Sequence, residues 1–233
     1  MEQTVILGHL FKEQMNAYGD SFNIQVLQTR LRERGVPVEV REYPLGEEAS
    51  FTDCDLLYLG GGGQRETRLV LDFLRPRKEL LREYLQRGGV MLATGSGYHI
   101  LGQSIPGDEE IPGLGLLNMS LRPSQGRSRE VLAEGSLEGR PLWLLGWLED
   151  QVACSHDYPS LGIIREKEGE RPEGLVTRHF IGTSLAGPVL AKNKDLADQL
   201  LAWALEGKYG KLRLRPLRDP LENLLKKKVI HDV

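Results

Sequence analysis

The chain has 233 residues, 30 Lys or Arg against 33 Asp or Glu, a formal net charge of −3 and 40% hydrophobic residues, enough for one well-buried α/β domain with or without a tail. That charge points to neither nucleic-acid nor membrane binding, no apolar run is long enough to span a bilayer, and the first residues lack a secretory leader's basic start and apolar stretch, so a cytoplasmic protein is expected. Two cysteines, Cys54 and Cys154, provide neither a disulfide framework nor metal-ligand spacing and read as reduced thiols; no metal or cofactor is expected.

Residues 4–10 read as an apolar strand, followed by a loop carrying Tyr18, Gly19, Asp20 and Asn23. Ile24, Val26, Leu27 and Leu31 form a buried helical stripe that ends at Gly35, a natural left-handed cap. Residues 36–40 alternate as a second strand. Residues 55–59 are a continuous apolar run suited to a parallel strand buried on both faces, and they feed directly into Gly60-Gly61-Gly62-Gly63-Gln64. A helix is expected at 76–87, with Leu80, Leu81, Tyr84 and Leu85 inward, and a strand at 90–93. This βαβαβ start predicts a mostly parallel central sheet flanked by helices, with ligand sites beyond the carboxyl ends of its strands. Both glycine-rich turns fall there.

The second half reads as shorter strands at 114–121, 129–133, 142–147, 162–165 and 175–180, expected as a mixed β extension of the same sheet. An amphipathic helix at 193–206 has Leu196, Leu200, Leu201 and Trp203 to bury. From residue 207 onward eight basic residues face three acidic ones, leaving a balance of −8 on residues 1–206. A domain of residues 1–206 and a basic tail of 207–233 follow. The tail, with Lys226-Lys227-Lys228, is expected as a solvated terminal helix, or else in contact with an acidic partner or the acidic body of its own protein.

Gly88 to Gly102 spells a hydrophobic strand, a sharp small-residue turn and the first turns of a helix. That is the framework of a nucleophile elbow, which lifts one reactive side chain above a parallel sheet. At its apex stands Gly95, which tolerates the strained backbone and can attack nothing.

In order and spacing, the Tyr18-Gly19-Asp20-Ser21-Phe22-Asn23 loop, the four glycines, the elbow and Ile181-Gly182-Thr183-Ser184-Leu185-Ala186-Gly187-Pro188 resemble the class I glutamine amidotransferase domain of the cobyric acid synthase type. Within it the resemblance is to the stand-alone glutaminase subunits of the lipid II isoglutaminyl synthase type, which work with a Mur-ligase-like partner in cell-wall precursor amidation. It covers about residues 5–205 and implies the flavodoxin-like α/β fold of that class. The family's elbow, Cys-Gly-Gly-Tyr-Gln, lays its nucleophile on Gly95, its next Gly on Ser96 and its Gln on His99. The late motif, Gly-Thr-Tyr-Leu-His-Gly-Pro, lays its catalytic His on Ala186. A Gly-Phe-Glu-Asn-His segment is eroded to Gly146-Trp147-Leu148-Glu149-Asp150. The resemblance also makes residues 60–63 part of the oxyanion hole. It thus implies a degenerate amidotransferase acting as a binding or regulatory subunit, with Gly61, Gly62, Gly63, Gln64, Ser96, Gly97 and Tyr98 in contact with glutamine or a related small molecule.

Two alternatives stand beside this reading. One is an active amidotransferase or amide hydrolase rebuilt around Ser96 and His99, or around Cys154; the other is a small-ligand sensor using the glycine-rich pocket alone. Ser96 is expected as a helix N-cap and Asp20 as the cap of the helix beginning near Phe22. His99 follows Ser96 at i+3, within reach on a helix. Cys154 and His156 would share one side of a strand, though a buried Cys beside a surface turn is the plainer expectation. His9, His179 and His231 have no companions at ligand spacing.

Overall fold

The computed structural model describes residues 4–47, 50–51, 53–106, 110–167, 169–210 and 214–220, with Leu224. The first half alternates β1 (Val5–Leu10), α1 (Phe22–Arg32), β2 (Val38–Tyr43), β3 (Leu56–Leu59), α2 (Gln64–Leu74), α3 (Lys78–Gln86), β4 (Val90–Thr94) and the short α4 (Gly95–His99). There follow β5 (Ser104–Ile105), β6 (Ile111–Pro112), β7 (Met119–Pro123), β8 (Arg129–Leu137), β9 (Arg140–Leu148), β10 (Val152–His156), β11 (Gly162–Glu166), β12 (Gly169–Glu173), β13 (Leu175–Thr177), β14 (Phe180–Thr183), β15 (Leu185–Ala186), α5 (Val189–Lys192) and α6 (Lys194–Tyr209).

The central sheet has the order β13-β14-β4-β3-β1-β2. Its strands run parallel except β13, which pairs antiparallel with β14. Every residue of β3 and β4 is buried, as the continuous apolar runs require of strands covered on both faces. One face packs on α1 and α6 through Leu27, Leu31, Leu196, Leu200 and Leu201. The other packs on α2 and α3 through Val70, Leu71, Leu74, Leu81 and Tyr84. Each such leucine contributes about 1.5–3 kcal/mol by leaving water.

One helix went unread in the sequence, and two expectations need correction. Residues 64–74 form α2, with Thr67, Val70, Leu71 and Leu74 inward, and the 3-10 turn Arg75–Arg77 accommodates Pro76 before α3 begins. Residues 175–180 are not one strand but the start of the β13–β14 hairpin, which turns at His179 with φ +66°. Most second-half strands also do not extend the central sheet. They form a separate antiparallel sheet of order β12-β11-β8-β9-β15, and β7 pairs with β10 alone. Within the separate sheet, Glu138 and Gly139, at φ +51° and +73°, make the tight turn that folds β8 directly onto β9.

The expected boundary at residue 206 falls inside α6, which runs on to Tyr209. Residues 214–220 then pack back on the body instead of standing free. Arg30 of α1 is 6% exposed and donates to Asp198 of α6 at 2.7 Å and to Asp219 at 2.8 Å, while Arg215 donates to the Glu33 carbonyl. The described tail thus uses an acid to meet a buried base. Lys226-Lys227-Lys228 lie outside the described residues. Among the described residues, no helix is long and apolar enough to cross a membrane.

Candidate functional site

The four segments singled out in the sequence meet at the carboxyl ends of β1, β3, β4 and β14, joined by buried side chains. Asp20, Asn23, Tyr58 and Thr94 are all fully buried. Asp20 Oδ1 accepts from the Gly61 N–H at 3.1 Å, Thr94 Oγ1 at 3.1 Å and the Tyr58 hydroxyl at 3.3 Å; its Oδ2 accepts from the Tyr18 N–H at 3.2 Å. Asn23 donates to the Tyr58 hydroxyl at 2.8 Å and the Gly187 carbonyl at 2.9 Å, and accepts from the Leu190 N–H at 2.9 Å. Asp20 therefore does not cap α1 with its carboxylate. Ser21 holds the cap position and makes no side-chain cap bond. Tyr58 and Thr94, read only as strand residues, belong to this hub.

At the elbow Gly95 has φ +52°, and a Cβ built there would meet only Gly61 Cα at 3.6 Å. The position has room for a side chain and carries none. Gly97 is different: any Cβ would run into the Gly60 carbonyl, so glycine there lets the two turns touch. Gly63 and Gln64 are exposed at the start of α2, while Tyr98 is fully buried beside Gly182, in the core. Gly19, at φ +76°, sits against the Phe22 ring.

Ser96 is neither an N-cap nor a partner of His99. It lies inside α4, where Thr94 holds the cap position. Its Oγ accepts from the Gly62 N–H at 2.9 Å and lies 3.1 Å from the Gly62 carbonyl and 2.8 Å from Thr67 Oγ1. The open nest of N–H donors expected from the four glycines is therefore partly filled: Gly61 donates to Asp20 and Gly62 to Ser96.

His99 turns instead to Ser184, with Nε2 3.1 Å from its Oγ, which lies 3.5 Å from Cys154 Sγ. Burial lowers the His99 pKa to about 4 and pushes the Cys154 thiol up to about 12. At neutral pH this chain holds a neutral imidazole, a hydroxyl and a protonated thiol. His156 makes its own bond to the Gly174 carbonyl at 3.2 Å. Glu173, missed in the sequence because it ends a largely exposed strand, is buried and accepts from the Ser184 N–H at 3.0 Å and from the Thr183 hydroxyl. Burial raises its pKa. Among the described residues no three His, Cys, Asp or Glu side chains are grouped to hold a metal ion.

The His99 shift has a measurable consequence. A base whose pKa falls on folding takes its proton more readily in the unfolded chain, so acid favours unfolding. Stability is complete above 6.5, the ordinary value, and falls as the pH drops toward 4. The slope is up to about 1.4 kcal/mol per pH unit for each such imidazole. His9, similarly lowered to about 4, adds to it. A His99→Gln variant is expected to lose part of the difference in urea midpoint between pH 7 and pH 5; an unchanged difference would refute the assignment.

Beyond Ala186 the chain opens into a cleft of about 520 Å³ lined by Tyr18, Trp147, Glu149, Ala186, Pro188 and Lys192, among others. Ala186 stands where the chain passes from the central sheet, through β14, to the second sheet, through β15.

A strand, elbow and helix on a mostly parallel sheet, facing a glycine turn, define the class I glutamine amidotransferase fold. Solved structures of that class superpose accordingly. PurLQS from Thermotoga maritima has a TM-score of 0.59 at 13% identity, covering 85% of this chain and 98% of that one. The Trypanosoma brucei CTPS glutaminase domain with bound acivicin has a TM-score of 0.57 at 11% identity, covering 94% and 98%. Within the class, the CobB/CobQ-like glutamine amidotransferase domain matches residues 6–194, and the chain belongs to that family. The lipid II isoglutaminyl synthase (glutamine-hydrolyzing) subunit GatD of Staphylococcus aureus is 30% identical over 207 residues, covering 86% of this chain and 84% of the relative. The GatD subunit of Streptococcus pneumoniae is 28% identical over 212 residues, covering 88% and 82%.

Proposed function

We propose that this protein is a glutamine amidotransferase-family subunit without glutaminase activity, serving as a binding or regulatory component beside a Mur-ligase-like synthetase in cell-wall precursor amidation in the cytoplasm. One observation carries the reading: Gly95 and Ala186 leave both reactive positions of the family without functional groups. Hydrolysis of a carboxamide by this route needs a thiolate to attack and an imidazole to manage protons. Among the described residues, the nearby hydroxyl and thiol do not substitute. The Ser96 hydroxyl is engaged by Gly62 and Thr67 with no base beside it, and the Cys154 thiol is held protonated by burial. Ser96 also takes the Gly62 N–H, a donor within the segment that the resemblance makes part of the oxyanion hole. The scaffold meanwhile keeps the Asp20 and Asn23 hub, which supports a role that needs its shape. Ligand contacts at this end of the sheet fall to the exposed Gly63 and Gln64 more than to Gly61 and Gly62, whose N–H groups are taken.

The test is ammonia release from glutamine by the purified protein, alone and with the Mur-ligase-like protein from the same source. No release above a heat-killed control is expected. Sustained release would overturn the proposal and make Ser96, His99 and Cys154 the next positions to substitute.

A further inference from the structure

Strand register places Glu130, Trp147 and Ala186 directly opposite one another on β8, β9 and β15, so the three side chains share one face of the second sheet. Lys192 reaches across to pair with Glu130, and Tyr18 donates its hydroxyl to Glu149. Trp147 and Tyr18 are large aromatics left 44% and 51% exposed, and both line the cleft. Gly61, Gly62, Gly95 and Ser96 do not line it, so the cleft lies on the far side of Ala186 from the glycine turns.

We infer that this cleft binds an organic ammonium group carried on an apolar body. The exposed faces of an indole and a phenol attract a cation through their ring quadrupoles, and a carboxylate at the same wall adds a charge-assisted partner. The cleft's own cation, Lys192, is neutralised by Glu130, and among the described residues the side-chain partner of Glu149 is a neutral phenol. An anionic ligand would meet that carboxylate and two electron-rich ring faces. Pro188, Val189, Leu145 and Ala186 supply an apolar floor for the rest of the ligand, and the volume suits a small molecule. The small side chain at 186 helps make the space, because a larger one there would project into the cleft. The inference holds whether or not the protein hydrolyses glutamine.

The full chain should be titrated with tetramethylammonium chloride while tryptophan fluorescence is followed, with sodium chloride at matched ionic strength as reference and sodium benzoate as the anionic arm. A saturable response to tetramethylammonium alone is expected, and Glu149→Gln should weaken it roughly three- to tenfold. Trp147→Leu should remove the fluorescence response, with loss of binding confirmed by calorimetry. Ala186→His, which fills the floor, should also weaken binding. Melting temperatures of the two rim variants should match the parent, since both side chains lie at the surface. A response no larger than that to sodium chloride, equal binding by Glu149→Gln, or preference for benzoate would overturn the assignment.

Discussion

A Gly95→Cys/Ala186→His double variant is expected to hydrolyse glutamine slowly, and adding Ser96→Gly is expected to raise that rate by about 10²–10³-fold. The first two substitutions supply a nucleophile and a base. The cost at residue 95 is backbone strain, because φ is +52° there, and a left-handed non-glycine residue costs about 1–2 kcal/mol. The nearest atom to the new Cβ, Gly61 Cα at 3.6 Å, leaves room for it. The third substitution acts on an electrostatic fault. With Ser96 present, the Gly62 N–H points at a serine hydroxyl 2.9 Å away and must break that bond before it can stabilise an oxyanion. Removing the hydroxyl frees the donor without touching the hub. Coupled measurement of ammonia release for the natural chain, the double and the triple variant decides the matter. A triple variant no faster than the double would show that Ser96 is not the obstacle.

Arg30→Ala is expected to cost about 3–5 kcal/mol of stability, the loss seen when one partner of a buried ion pair is removed. Arg30 satisfies Asp198 and Asp219 together, with four donor–acceptor contacts of 2.7–3.2 Å, and Asp219 is only 8% exposed. Among the described residues, alanine would leave Asp219 paired with Lys194 alone, at 3.5 Å. The sign of the pH dependence follows from the hydrogen bonds of Arg30, which hold the Asp219 carboxyl below the usual range. A carboxylate depressed in the folded state stabilises it above the unfolded value, and that contribution is lost as the pH falls through the folded one. Urea unfolding at pH 7 should show the full loss. Near pH 3 the gap between parent and variant should narrow; a constant gap would mean that Arg30 acts through its aliphatic stem.

Much of the central sheet was legible because β1, β3 and β4 are short apolar runs ending in glycine, and burial on both faces leaves few other readings. Helix α2 was not: its inward positions include Thr67, and it lies between a glycine run and Pro76, both of which read as interruptions. The separate second sheet escaped because alternation shows that a strand is half-buried without saying which sheet buries it. The four motifs did converge, yet their connections were invisible. Asp20 and Ser96 were assigned to caps on local grounds, and each found a partner more than 30 residues away. Hydrogen-bond partners are chosen by tertiary placement, which no local spacing encodes.

The strap of residues 214–220 separates two ideas of where this domain ends. The family match ends at residue 194, at the first turn of α6, whereas the buried pairing of Arg30 is completed by Asp219. The stretch that identifies the family is therefore shorter than the unit that folds. Shortening this chain to that stretch would remove α6 from the core and leave a buried guanidinium without its carboxylates.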